Sequence, residues 1–141
     1  MKEKYIIATI KSWNIKNAKR LKKKTGRGEF VIISDKDRLT HDNVRKIDPI
    51  YIFFPHWSWM IPKEIYDNYE CVVFHMTDLP FGRGGSPLQN LLGRGISDTK
   101  VTALKAVKAT DAGPVYLKRI LSLKAVLQRS SVKLLILFLK I

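Results

Sequence analysis

The sequence predicts a three-layer α/β domain built on a mainly parallel sheet, and three observations lead there. Short β-branched or aromatic runs alternate with helix-forming segments along most of the chain. Glycine and proline clusters separate those segments. The chain has 141 residues and a 45% apolar content, enough for one domain with a substantial core and short for two. Strand and helix in alternation place helices on both faces of a parallel sheet.

The elements follow in order. Tyr5–Ile10 is a β-branched apolar run, and Asn14 stands as the N-cap of a helix over Ile15–Lys24. Thr25-Gly26-Arg27-Gly28 ends that helix, and Glu29–Ser34 is the second strand. A short helical segment near Thr40–Ile47 leads to Ile50–Phe54, a third strand expected to be buried on both faces. Pro62 starts a short helix through Lys63–Tyr66. Cys71–Phe74 is a fourth strand that ends at His75. From Leu79 to Pro87 the chain is a Gly- and Pro-rich loop, followed by a helix from Pro87 to Leu92. Lys100–Val107 and Val115–Leu121 are two further strands around the turn Asp111-Ala112-Gly113-Pro114.

The formal charge of +14 favours phosphate-bearing partners, whether nucleic acid, nucleotide or membrane surface. Lys16, Lys19, Arg20, Lys22, Lys23 and Lys24 crowd the first helix, where helical spacing spreads them over several faces as a solvated surface. No carboxylate follows Asp111. No run approaches the ~20 apolar residues needed to cross a bilayer, and no secretory leader is visible at Met1–Lys4. One cysteine, Cys71, has no internal disulfide partner and no metal-ligand spacing around it, so no metal site is expected and a reducing cytoplasm is the simplest home.

Working groups of an open α/β sheet lie beyond the carboxyl ends of its strands. His75 occupies such an end, and Asp111 lies in the turn between the last two strands. A carboxylate beside an imidazole favours its protonated form, which suits a group that gives and takes a proton near neutrality. An ordinary strand-end histidine and an ordinary turn aspartate are the competing reading. The loop after His75 lets backbone approach a ligand closely, and Arg83 offers a planar fork for phosphate or carboxylate. Phe53 and Phe54 read as core, whereas Trp57 and Trp59, in a loop beside His56, are equally suited to stacking on a ring.

The stretch His75-Met76-Thr77-Asp78-Leu79-Pro80-Phe81-Gly82-Arg83-Gly84-Gly85-Ser86-Pro87, with Asp111-Ala112-Gly113 farther on, resembles the signature of the folate-dependent formyltransferase superfamily. Its members act on methionyl-tRNA, glycinamide ribonucleotide or nucleotide-linked amino sugars. The likeness spans roughly Ile50–Lys118. It implies a Rossmann-like formyltransferase domain and a one-carbon transferase with 10-formyltetrahydrofolate as donor. It also implies His75 and Asp111 as catalytic pair, a folate pocket at Trp59, Met60, Ile61, Pro62, Leu79, Ala109 and Thr110, and an acceptor site at Thr77, Arg83 and Gly84.

Two departures accompany the resemblance. Val73 stands where the family has an asparagine that helps to hold the oxyanion; His56 and Thr77 are nearby polar substitutes. The resemblance also implies a catalytic domain over residues 1–119, with its C-terminal part missing or altered, followed by an atypical basic and apolar tail over 120–141. Val132–Ile141 is either a buried closing element or a stretch read out of frame. The expected acceptor is a small primary amine, first an amino sugar on a nucleotide carrier, because the Met76–Gly85 loop carries no basic insert and no RNA-binding domain follows. Methionyl-tRNA is the alternative that the charge keeps open. An inactive remnant or a basic binding module is the rival from another class. Oligomeric state is not legible in the sequence.

Overall fold

The computed structural model describes residues 2–24, 26, 28–75, 77–81, 83, 93–96 and 98–122. They form two compact units, divided after Val72. The expected helix over Pro87–Leu92, Gly84 and the tail from residue 123 onward lie outside the described residues.

The first unit is wound around β1 (Lys4–Ala8), which pairs in parallel with β2 (Glu29–Ile33) on one side and β3 (Tyr51–Phe54) on the other. The order is β2-β1-β3, with β4 (Cys71–His75) next to β3. Parallel neighbours need long crossovers. Here these contain α1 (Ser12–Lys24), between β1 and β2, and α2 (His41–Ile47), between β2 and β3. A further helix, α3 (Lys63–Tyr66), precedes β4. As the central strand, β1 is enclosed on both faces: Ile6, Ile7 and Ala8 are all fully buried. Ala18 of α1 joins Ile7 and Phe30 in one cluster, flanked by Tyr5, Leu21 and Ile32.

Local chemistry explains the helix boundaries. Thr40 caps α2 by accepting from the Asn43 N–H at 3.2 Å, and Asp48 ends it in the left-handed region. Pro62 stands just ahead of α3, which is closed by a Lys63–Asp67 ion pair one turn apart.

Two sequence expectations change here. Asn14 is not an N-cap. The helix begins at Ser12, and Asn14 is buried within it, its Nδ2 2.8 Å from His56 Nδ1 and 3.4 Å from the Pro55 carbonyl. A tertiary partner at the end of β3 has displaced the local capping role. Nor is β3 buried on both faces: Tyr51 is 36% exposed. One face of the unit is instead a row of rings, with Tyr5 stacked on Phe30 at 5.0 Å and on Phe53 at 6.4 Å, and Tyr51 on Phe53 at 5.9 Å.

The second unit holds the end of β4, the segment after it, and the antiparallel pair β5 (Asp98–Lys105) and β6 (Val115–Ser122). Its order is β4-β5-β6. Val101, Thr102, Ala103 and Leu104 are all buried, as expected of an interior strand. β6 is an edge strand, with Ile120 82% exposed. β5 lies two residues earlier than its pattern suggested, and a register shift at Ala103/Leu104 brings its end into the turn toward β6. Among the described residues no helix is long and apolar enough to cross a membrane.

The His56 contact has a pH consequence. His56 holds φ +56°, and burial, then the Lys11 ammonium, keeps its ring below the ordinary histidine pKa. The unfolded chain therefore binds this proton more readily. The associated stability is complete above ~6.5, the unfolded pKa, and is lost as pH falls through and below it. Denaturant midpoints at about pH 7.5 and about pH 5 should fall less in His56→Asn, which tolerates positive φ, than in the parent. Equal acid losses would remove His56 from this account.

Candidate active site

His75 is the last residue of β4, so the strand sets its position and burial; its side chain is 7% exposed. Asp111 reaches it from the β5–β6 turn, with Oδ2 3.4 Å from His75 Nδ1 and a side chain 14% exposed. That is ion-pairing distance for a protonated ring. The turn is shaped for this purpose by backbone contacts. The Lys105 N–H donates to the Pro114 carbonyl at 2.8 Å, and Asp111 takes φ +53°. A Cβ built on Gly113 would run into the Lys105 carbonyl. Glycine is therefore required where the turn folds back on β5.

The segment after His75 is tied down by groups that sequence reading did not single out. Thr102 of β5 donates its hydroxyl to the buried Thr77 carbonyl at 2.7 Å. Asp78 lies between two ammonium groups: Lys118 of β6 at 2.6 Å and Lys100 of β5 at 3.1 Å. Lys118 also donates to the Leu79 carbonyl at 2.6 Å, and the Phe81 N–H closes a turn onto the Asp78 carbonyl at 3.0 Å. The Leu79–Pro80 peptide is cis. Lys118 first, then Lys100, hold the Asp78 carboxyl below the usual carboxylate pKa.

The other expected site residues are distributed as follows. Leu79 is buried, whereas Ala109 and Thr110 are exposed in the turn that carries Asp111. Arg83 is exposed. Trp59, Met60, Ile61 and Pro62 belong to the first unit. There Trp59 meets Trp57 edge-on at 5.1 Å and has Lys36 Nζ 5.8 Å from its ring, while Met60 is 81% exposed. Trp57 packs edge-on against Phe54 and has its indole N–H buried without a partner. Val73, within β4, is half-buried. Among the described residues no group of three His, Cys, Asp or Glu side chains could hold a metal ion.

A parallel α/β unit, followed by an antiparallel hairpin that sets a carboxylate against a strand-end histidine, is the fold of the formyltransferase superfamily, and this chain carries it. No family model matches the chain. The likeness in sequence runs to the methionyl-tRNA formyltransferases. A methionyl-tRNA formyltransferase structure from Clostridium thermocellum superposes with a TM-score of 0.84 and 58% identity, covering 86% of this chain and 54% of that one. The curated methionyl-tRNA formyltransferase of Campylobacter fetus subsp. fetus (strain 82-40) is 31% identical over 86 residues, 61% of this chain and 28% of that protein. HypX from Aquifex aeolicus, solved in complex with tetrahydrofolic acid, shares the fold at a TM-score of 0.75 and 19% identity, covering 92% of this chain and 24% of that one. This chain thus spans about half of the first of these and about a quarter of the other two.

Two predictions follow from the geometry. Gly113→Ala should cost roughly 1–3 kcal/mol in urea denaturation, because backbone must yield to the new methyl; parent-like stability would show that the turn does not need glycine. Lys118→Gln should leave the global unfolding midpoint nearly unchanged while speeding hydrogen exchange of the Phe81 amide. In the parent, the protection of the same amide relative to its intrinsic exchange rate should persist at ~3.9, the ordinary carboxylate pKa, and fall only at lower pH, where the depressed Asp78 carboxyl is protonated and loses its ion pairs. An unchanged Phe81 amide in both experiments would show that the lysines do not hold this segment.

Proposed function

We propose that this chain forms the catalytic core for transfer of a formyl group from 10-formyltetrahydrofolate to the primary amine of methionyl-tRNA. The observation that carries the reading is the His75–Asp111 pair, at 3.4 Å, in a chain 58% identical to a methionyl-tRNA formyltransferase. The amino-sugar acceptor, first in the sequence reading, becomes second, since the Clostridium thermocellum and Campylobacter fetus proteins named above are both methionyl-tRNA formyltransferases.

The donor, when bound, supplies the formyl carbon and receives a proton at the nitrogen it leaves. The chain's groups fit such a donor. The acid–base pair is sheltered, while the adjoining Ala109–Thr110 turn is exposed and presents peptide groups suited to a polar ring edge. With Nδ1 facing Asp111, His75 Nε2 is the atom we assign to the reactants. It takes the proton released by the attacking amine, and the imidazolium N–H so formed donates to the negatively charged formyl oxygen. The same proton then passes from Nε2 to the departing folate nitrogen as the C–N bond breaks, which returns the ring to its neutral form. Asp111 fixes the ring orientation and stabilises the imidazolium formed on the way. Val73 supplies no side-chain donor at the place where the superfamily signature has asparagine, so His75 carries the oxyanion alone in this scheme.

The test is formyl transfer to methionyl-tRNA, with a nucleotide-linked amino sugar as competing acceptor. His75→Ala should lower kcat by about 10²-fold or more, and Asp111→Asn should lower it with little change in KM. Tetrahydrofolate should raise the Tm of parent and His75→Ala alike. Val73→Asn should raise kcat by restoring a donor. Absence of both transfer and a folate-induced Tm shift in folded protein would refute the proposal; transfer to the amino sugar alone would return the acceptor to the first reading.

A further inference from the structure

The α1 surface carries a charge pattern that its place in the fold does not require. Lys16, Lys19, Arg20 and Lys23 recur at i, i+3, i+4 and i+7, so they form one stripe along the helix, about 10 Å long at ~1.5 Å per residue. All four are exposed, and Lys22 and Lys24 flank them. The opposite face of α1 is buried through Asn14, Asn17 and Ala18. The helix contains no acidic residue, and among the described residues no carboxylate pairs with any cation of the stripe.

A solvated surface is the simplest account of such a run. Basic residues in the last turn also complement the helix dipole, which explains Lys22, Lys23 and Lys24. It does not explain Lys16, Lys19 and Arg20 in the helix body. Like charges at i+3 and i+4 repel one another, so an acid-free stripe weakens its own helix unless an anion accompanies it. A row of cations at this spacing matches successive phosphates of a nucleic-acid strand. A lipid surface fits less well: Ile15 and Leu21 are not exposed, and Trp13, 38% exposed, is the single large apolar side chain that α1 presents, short of the continuous apolar face that membrane-surface helices insert.

We infer that the Lys16–Lys19–Arg20–Lys23 stripe of α1 is an RNA-docking surface that grips the phosphate backbone of the nucleic acid carrying the acceptor amine. The inference rests on the RNA-borne acceptor proposed above. Phosphate contacts of this kind position without reading sequence. The stripe therefore contributes affinity and orientation, not base selectivity.

The experiment titrates the whole chain into a fluorescein-labelled RNA hairpin with an unpaired 3′ strand and follows anisotropy at several salt concentrations. Lys16→Gln/Lys19→Gln/Lys23→Gln removes three charges from the stripe. Arg38→Gln/Arg45→Gln/Lys46→Gln removes three from other exposed positions of the first unit. Unfolding curves check that both variants fold. The stripe variant should bind about tenfold or more weakly near physiological salt, and its log K against log salt slope should be shallower by about 2–3. The control should change much less. Equal losses in the two variants would reduce the effect to net charge and overturn the inference, as would an unchanged stripe variant. Phosphatidylserine vesicles form the last arm: tighter, stripe-dependent binding to vesicles than to RNA would assign the surface to lipid instead. Because binding is read without turnover, a failure of formyl transfer leaves this result intact. Conversely, parent-like RNA binding by the stripe variant in an active enzyme would sink the docking surface alone.

Discussion

The hairpin between β5 and β6 has to deliver a carboxylate to the end of β4, and it does so through one close backbone approach, Gly113 against the Lys105 carbonyl. That approach is held by the Lys105–Pro114 hydrogen bond, and Asp111 in the same turn takes positive φ. A side chain at residue 113 would push the turn away from β5, and Asp111 would move with it. The placement of the His75 pair therefore traces back to a glycine two residues beyond Asp111. Interior burial does the complementary work. β5 is enclosed at four successive residues, so the base of the hairpin cannot shift to relieve strain in the turn.

The same pair of strands also steadies the segment that follows His75. Thr102 and Lys118 are directly opposite one another in the β5–β6 register, and both reach that segment, one at the Thr77 carbonyl and the other at Asp78 and the Leu79 carbonyl. Their contributions differ in kind. The Thr102 bond is buried and independent of pH and salt. The Asp78 pairs are half-exposed, so solvent screens them and their effect on global stability is small. Such a combination fixes the inner part of the segment while leaving its outer part responsive to charge.

Much of this was legible in the sequence where the determinant is local. Thr40 before an amphipathic turn, proline ahead of Lys63, and a β-branched run ending in histidine each carry their signal within a few residues. His75 and Asp111 were legible for a second reason: the loop between β4 and the turn carries a recognisable arrangement of Leu-Pro, Arg-Gly and Asp-x-Gly. What escaped was tertiary. Asn14 has the composition of a cap, yet its partner lies 42 residues away at His56. Asp78 looks like a spacer in the motif until Lys118, 40 residues on, is folded against it. The burial of β3 was overestimated because an apolar run reports that a strand packs, not what packs on it; here rings cover rings. The charge stripe of α1 was present in the sequence all along, but only a known buried face, Asn14, Asn17 and Ala18, shows which four of the six cations share the outer one.

These findings place opposite demands on the two units. In the second, Lys100 and Lys118 face Asp78, and Asp111 faces His75. In the first, the cations of α1 face outward with no carboxylate among them. Phosphates attract over the distance of the Debye length, about 10 Å at moderate salt, whereas acid–base chemistry works only within hydrogen-bond reach. An unpaired cation beside His75 would oppose protonation of the ring, and an acidic neighbour in α1 would cancel the attraction. In the proposed reaction, with Val73 offering no donor, oxyanion stabilisation falls on a histidine oriented by the Asp111 carboxylate, so the strength of the reaction centre depends on how firmly the β5–β6 turn holds that carboxylate in place.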